Sequence, residues 1–163
     1  MDSFEFQLTM FMKGAEELPK KINHLNDLRL QIKIALLTIW SVSIGWAISA
    51  NSLSIAFVGY CIIIGFLGPD TLVRASQEFY IDKLFDIYLF LNDREKLEHS
   101  FKVKEIPKGI VYPIVFKISA LANEKRREVY SAIKILSFLS YPTIYIPYLF
   151  LSLCNFLVIL FLI

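Results

Sequence analysis

Few residues in this chain have side chains suited to catalysis. The sequence has two histidines, His24 and His99, and no glycine-rich phosphate loop, metal-spaced His/Cys cluster or nucleophile motif. The pattern that stands out is Arg94-Glu95-Lys96-Leu97-Glu98-His99, where four residues separate an arginine from a histidine. On a continuous helix five residues turn about 500°, so these two side chains would lie roughly 140° apart. They could meet only through a helix end or a second copy; otherwise the segment is a solvated helix end with a surface histidine.

The spacing of Arg94 and His99 resembles the Arg-x4–6-His signature of the HEPN ribonucleases. In that family the histidine serves in general acid–base catalysis of RNA cleavage and the arginine stabilises phosphate charge, usually in a dimer. The residue after the arginine is commonly Asn, Asp or His in that family, whereas here it is Glu95. We therefore expect that Arg94 and His99 are not catalytic, and that the protein is no enzyme and uses neither metal nor cofactor.

The combination of this motif with a short chain, an N-terminal membrane segment and a helical cytosolic part resembles one particular family. This family is the small HEPN-motif membrane accessory protein of Cas13b-type (type VI-B) CRISPR systems. The resemblance implies an oligomeric membrane pore that strengthens antiphage defence, with the CRISPR effector of the same system as a partner.

Two long stretches without charge dominate the rest of the sequence. No charged residue lies between Lys33 and Asp70, and none follows Lys134. Uncharged apolar runs of more than ~18 residues are typical of membrane spans. The chain is 56% hydrophobic with a net charge of +2, which does not favour nucleic-acid binding. We predict an all-α integral membrane protein, in which Cys61 and Cys154 are small buried apolar residues rather than a disulfide.

The first uncharged block, residues 34–68, is predicted to be a transmembrane hairpin. As a single helix it would be about 50 Å long, well beyond a hydrocarbon core of about 30 Å. Asn51 and Ser52 are turn formers at its midpoint. The alternative is one long helix that projects from the membrane and packs in an oligomer. Since no Lys or Arg lies near Asn51, the positive-inside rule places both ends in the cytoplasm, and we expect a bacterial inner membrane protein with N-terminus and central segment cytoplasmic.

Small residues recur every four positions along the block, where they would let helix backbones approach closely. They are Ser41, Gly45 and Ser49, then Ser52 and Ala56, then Cys61 and Gly65. This spacing predicts a homo-oligomer, although it is also compatible with ordinary Gly and Ser usage in membrane helices. Candidates for a weakly polar pore lining are Thr38, Ser41, Ser43, Ser49 and Ser54.

The remaining sequence divides into 1–33, 70–134 and 135–163, which flank the hairpin segment 34–69. Residues 2–18 are predicted to form an amphipathic helix that Pro19 ends or kinks, and residues 20–33 a second helix. The apolar face of the first helix carries Phe4, Leu8, Phe11 and Leu18. It is interpreted either as a lid on the cytosolic part or as an interfacial anchor.

Beyond the hairpin, Gly68-Pro69 is predicted to stop the second arm, and Asp70 or Thr71 to cap a helix over 71–92. A narrow polar stripe runs along that helix, whose wide apolar surface requires cover from the N-terminal helix, the final helix or another copy. The stripe is Asp70, Arg74, Glu78, Asp82 and Asp86. Residues 100–112 are predicted to be a small strand hairpin or a loop, and residues 113–140 a helix. The last block, 135–163, is predicted to be a span kinked by Pro142 and Pro147.

Three functions fit these features. The first is a homo-oligomeric membrane effector that forms a pore or perturbs the membrane potential. The second is a membrane-shaping protein of the reticulon type, since two uncharged blocks separated by a cytosolic loop are compatible with a double wedge. The third is a HEPN-type ribonuclease that uses Arg94 and His99. We favour the first.

Overall fold

The computed structural model describes residues 3–107 and 141–163. These residues form the helices α1 (Ser3–Ser49), α2 (Leu53–Asn92), α3 (Arg94–Val103) and α4 (Pro142–Leu162). The described part is 92% helical and contains no strand, so the predicted all-α class is confirmed. Helices α1, α2 and α4 are each long and apolar enough to cross a membrane. The predicted helix over 113–140 lies outside the described residues.

The break between α1 and α2 falls at the predicted turn. Asn51 has a left-handed backbone with φ 47°, which asparagine tolerates better than most residues. Its amide donates to the Ile48 carbonyl at 3.2 Å, and the Ser52 amide donates to the Ala47 carbonyl at 2.9 Å. The predicted break at Asn51-Ser52 is therefore confirmed, and the alternative of one continuous helix is wrong.

Two prolines that were expected to interrupt helices do not end them. Pro19 lies within α1 and Pro69 within α2, so α1 is one helix instead of two, and the second arm continues past Gly68-Pro69. An internal proline removes one helix hydrogen bond and costs about 3 kcal/mol. Tertiary contacts offset that cost, because the residues beside the prolines, Leu18 and Asp70, are 1% and 0% exposed.

Helices α3 and α4 bear on two further boundaries of the sequence predictions. Residues 100–103, expected in a strand or loop, form the last turn of α3, which ends where Lys104 adopts a left-handed backbone with φ 56°. In the last block, α4 begins at Pro142, a favoured first helical position, and continues through Pro147. Helix α4 therefore lies within the predicted span 135–163, of which residues 135–140 lie outside the described residues.

One compact unit draws its described residues from Met1–Leu25 and Ser76–Glu128. Its core joins Phe11 and Leu18 of α1 to Ile87 and Phe90 of α2, with Ile106 beside them. The predicted apolar face of the N-terminal helix is confirmed, because Phe4 and Leu8 pack on the same core. The N-terminal helix thus covers one side of the 71–92 segment. Other apolar side chains of that segment are exposed, among them Phe85, Tyr88 and Leu89.

The second compact unit draws its described residues from Asn26–Ala75 and Val129–Ile163. It contains the two arms of the α1–α2 hairpin and all of α4. The core is built from all three helices, with Leu36 of α1, Ile63 of α2, and Ile144 and Leu151 of α4. Near the turn a smaller cluster joins Ala47, Ala56 and Ile159. Contacts of α4 with both arms make this unit a three-helix bundle, in which α4 runs parallel to α1.

Candidate functional site

A buried ion pair closes the end of the hairpin opposite the Asn51 turn. Arg29 Nε donates to Asp70 Oδ1 at 2.8 Å, and the two side chains are 9% and 0% exposed. Arg29 belongs to the last turns of α1 before the uncharged stretch, and Asp70 is the first charged residue after it. The prediction that Asp70 caps a helix is wrong, because Asp70 lies inside α2. Its carboxylate instead fixes the register of the two arms.

The Thr71 prediction is wrong for the same reason, because Thr71 lies inside α2. Its hydroxyl donates to the Leu67 carbonyl at 2.7 Å, one turn earlier in the same helix. A hydroxyl that donates to the carbonyl one turn earlier has its hydrogen bond within the helix and does not cap a helix N-terminus.

Helix α4 is attached to both hairpin arms by polar contacts at its first turns. Lys33 Nζ donates to the Thr143 carbonyl at 2.8 Å, and the Tyr148 hydroxyl donates to the Phe66 carbonyl at 3.1 Å. These two bonds join α4 to both arms of the hairpin, the first to α1 and the second to α2.

Arg74, one turn beyond Asp70, completes this group of charges. Its guanidinium lies over the Tyr141 ring, with Cζ 5.0 Å from the ring centroid, which is within the range of a cation–π contact. We refer to Arg29, Lys33, Asp70 and Arg74 as the charged cluster. These residues come from helix positions that adjoin the uncharged stretches, so the cluster marks where the apolar part of the bundle ends.

Asn155 forms a second polar contact, deep in the apolar part of the bundle. It is 0% exposed. Its Nδ2 donates to the Ala56 carbonyl at 3.2 Å, and its Oδ1 accepts from Trp40 Nε1 at 3.3 Å. Gly59 makes room for it, because a Cβ there would collide with Asn155 Oδ1 and lie 3.1 Å from Asn155 Cγ. A single amide therefore joins all three helices, and the sequence analysis missed it.

The small residues predicted to pack helices divide into two groups. Ala56 is 0% exposed, and Ser52 is half-buried beside the turn. The others lie exposed on the outside of the bundle: Ser41, Gly45, Ser49 and Gly65. A Cβ at either of these glycines would meet nothing within 4 Å. Gly59, which was not predicted, provides close packing between helices of the bundle.

Cys61 lies on the same outer surface. Both cysteines are free, but Cys61 is exposed, so the expectation that it is buried is wrong. It lies one turn before Gly65, which is also exposed.

The Arg94–His99 motif lies on a single exposed helix. Arg94 Nε donates to Glu98 Oε1 at 2.8 Å in an i,i+4 pair, and the two side chains are 89% and 54% exposed. Asp93 caps α3 by accepting from the Lys96 amide at 3.1 Å. Hydrogen bonds from Lys96 lower the pKa of Asp93. Since α3 is continuous from Arg94 to Val103, Arg94 and His99 point to different sides and form no joint site within one chain.

No protein-family model, curated protein or solved structure matches this chain. The class of protein is therefore defined by the fold alone. It is an all-helical chain with three helices long and apolar enough to cross a membrane, and buried polar side chains connect them. Within residues 3–107 and 141–163, no group of three His, Cys, Asp or Glu side chains is placed to hold a metal ion.

Proposed function

We propose that the protein is a homo-oligomeric integral membrane protein that forms a pore or otherwise perturbs the membrane potential. The observation that carries this proposal is the distribution of small and hydroxyl side chains in the hairpin. Most of them, including Thr38, Ser41 and Gly45, lie on the outside of the three-helix bundle, while apolar side chains and Asn155 fill its inside. A polar path for ions would therefore run between copies of the protein and not through a single chain.

The closed interior of the bundle supports the absence of an ion path through a single chain. Leu36, Ile63 and Ile144, from three different helices, are 1%, 4% and 0% exposed and pack in one cluster. Asn155, the buried amide, is engaged on both its oxygen and its nitrogen. Side chains that pack in this way leave little room for water or ions.

The outer surface of the bundle supports an ion path between copies of the chain. Of the hydroxyl residues proposed to line a pore, Thr38, Ser41, Ser49 and Ser54 are exposed and Ser43 is half-buried. Thr38 satisfies its hydroxyl on the Ile34 carbonyl at 2.9 Å, which lowers the cost of facing lipid. Exposed Gly45 and Gly65 leave the backbone accessible to a neighbouring helix, and membrane helices associate through such positions.

We further propose that the protein lies in a bacterial inner membrane with its N-terminus and central segment in the cytoplasm. The charge distribution supports this orientation, because no Lys or Arg lies near Asn51. In a Cys61→Ala/Cys154→Ala background, Asn51→Cys should react with an impermeant thiol reagent added to intact cells. Lys21→Cys should react only after the cells are opened. Labelling of Lys21→Cys in intact cells would overturn the orientation.

The pore is tested by vesicle leakage with matched variants. Purified protein in vesicles should dissipate a potassium diffusion potential. Gly45→Leu, which fills an open backbone surface, should reduce that activity and the copy number together. Val42→Leu is the control, since it adds bulk at a nearby side chain that is already 69% exposed. Equal leakage from both variants and the wild type would contradict a pore formed at the Gly45 surface.

From the resemblance to CRISPR-linked membrane accessory proteins we further propose that this activity serves antiphage defence. The CRISPR effector of the same system is then a partner of the protein. The alternative of a reticulon-like wedge receives less support, because α4 packs along both hairpin arms instead of forming a separate wedge. The ribonuclease alternative requires Arg94 and His99 to meet. We expect no cleavage of single-stranded RNA by the purified protein. If the wild type cleaves RNA and His99→Ala abolishes that cleavage while the oligomer stays intact, the ribonuclease would be favoured over the membrane effector.

A further inference from the structure

Pro147 deprives one backbone carbonyl of α4 of its helical donor. In an α-helix each carbonyl accepts from the amide four residues later, and for Thr143 that residue is Pro147, which has no N–H. In a membrane-spanning helix, a carbonyl freed by proline is satisfied by a neighbouring helix, a hydroxyl side chain or water. The donor that reaches the Thr143 carbonyl therefore shows how this chain tolerates the proline.

Lys33 of α1 is that donor. Its Nζ donates to the Thr143 carbonyl at 2.8 Å, although the two residues lie 110 positions apart in the sequence. Hydrogen bonds from a charged donor are stronger than those between neutral groups. The ammonium of Lys33 thus takes the place of the amide that Pro147 lacks, and a bond that would have been internal to α4 becomes a bond to α1.

The first turn of α4 lies mostly outside the core of the bundle. Ile144 is its buried residue, with 0% exposure. The other side chains of this turn are exposed, namely Pro142, Thr143, Tyr145 and Ile146. Beyond Pro147, Tyr148 and Leu151 pack in the core. The turn before the proline is therefore fastened less deeply than the helix that follows it.

We propose that the bond from Lys33 to Thr143 is a latch that holds the first turn of α4, residues 142–146, against α1. When the latch is lost, this turn opens separately from the rest of α4. Separate opening is expected here because Pro147 removes one of the hydrogen bonds that would tie the turn to the following residues. The proposal depends neither on pore formation nor on the number of copies.

A double-mutant cycle, measured by unfolding in mixed micelles, tests the pairing of Lys33 with Pro147. Lys33→Met keeps an unbranched side chain without the donor and should raise the equilibrium constant for unfolding about tenfold, because a hydrogen bond from a charged group is lost. Pro147→Ala restores the amide that the Thr143 carbonyl needs. In that background Lys33→Met should change the constant by no more than about twofold, the range of an ordinary surface substitution. Lys33→Arg, which retains a charged donor, should unfold as the wild type does.

Pro142→Ala is the matched control for Pro147→Ala. Pro142 occupies the first position of α4, where an amide has no acceptor within the helix, so its replacement restores no bond to α4. The effect of Lys33→Met should therefore be the same with Pro142→Ala as in the otherwise wild-type protein.

Amide hydrogen exchange at low SDS concentrations tests the separate opening. The amides of residues 144–146 should exchange faster than those of residues 151–160, and their rates should not change with SDS below the unfolding transition. Lys33→Met should speed exchange at residues 144–146 about tenfold without making it sensitive to SDS.

Two results would overturn the proposal. One is an equal effect of Lys33→Met with and without Pro147→Ala, which would show that the lysine does not replace the missing amide. The other is exchange of residues 144–146 at the same rate and with the same SDS dependence as residues 151–160. If Lys33→Met alone does not fold, folding of Lys33→Met/Pro147→Ala would support the latch, and failure of both variants to fold would refute it.

Discussion

Replacing Asn155 by leucine tests whether the buried amide holds α1, α2 and α4 together. Leucine has a similar size, so the variant removes hydrogen bonds without opening a large cavity. Two interhelical bonds are lost, one to the Ala56 carbonyl at 3.2 Å and one from Trp40 Nε1 at 3.3 Å. The Ala56 carbonyl keeps its place in α2, but the Trp40 indole N–H is left without this acceptor.

The expected loss of stability follows from these two bonds. Side-chain hydrogen bonds between membrane helices contribute about 0.6 kcal/mol each on average. An indole N–H left without a partner adds about 1 kcal/mol or more. The free energy of unfolding of Asn155→Leu should therefore be about 2 kcal/mol below that of the wild type, close to a 30-fold change in the equilibrium constant.

Unfolding by SDS in mixed micelles, followed by far-ultraviolet circular dichroism, measures this difference. Combining Asn155→Leu with Trp40→Phe should cost about 1 kcal/mol less than the sum of the two single variants, because the orphaned indole is then absent. Leu157→Ala, at a position that is 57% exposed, is the control and should change stability by less than about 0.5 kcal/mol. A wild-type stability for Asn155→Leu, or strict additivity with Trp40→Phe, would refute this account of the amide.

Further predictions concern the ion pair, the glycines and the α3 cap. Asp70→Asn leaves the Arg29 charge buried without its carboxylate and should lower the free energy of unfolding by about 3–5 kcal/mol. Gly59→Ala places a Cβ against the Asn155 side chain and should cost about 1–3 kcal/mol, whereas Gly45→Ala, in open space, should cost nothing measurable. Asp93→Ala should speed amide hydrogen exchange at the start of α3. Because hydrogen bonds lower the Asp93 pKa from 3.8, the cap's contribution is present above pH 3.8 and is lost as pH falls through the lowered value.

Three results would contradict these predictions. Stability of Asp70→Asn equal to that of the wild type would show that the Arg29–Asp70 pair does not hold the hairpin. Equal stabilities of Gly59→Ala and Gly45→Ala would contradict the close packing at Gly59. Exchange at the start of α3 that is unchanged in Asp93→Ala would show that this cap is dispensable.

The helical hairpin could be predicted because its signals are local. An uncharged stretch twice the length of a span, with Asn51-Ser52 at its midpoint, indicates both the helices and the turn. The amphipathic pattern of the first residues likewise predicted which face packs on the core.

The helix boundaries and buried polar contacts depend on residues distant in sequence. Gly68-Pro69 is a strong local stop signal, yet α2 continues through it, and Asp70 beside it pairs with Arg29, 41 residues away. Asp70 was interpreted as a cap because its local context fits one, and nothing near it indicates the partner. Asn155 could have been found: a lone amide within a nearly continuous run of Leu, Phe, Ile and Val is costly unless it is paired.

The mass of the protein in mild detergent and in lipid nanodiscs tests the proposed homo-oligomer most directly. The chain has a mass of 18.9 kDa. Native mass spectrometry should give a single discrete multiple of that mass, and Gly45→Leu should shift it to fewer copies while Val42→Leu leaves it unchanged. A wild-type protein that remains at 18.9 kDa at every concentration, in both detergent and nanodiscs, would contradict the proposal that copies of this chain assemble in the membrane.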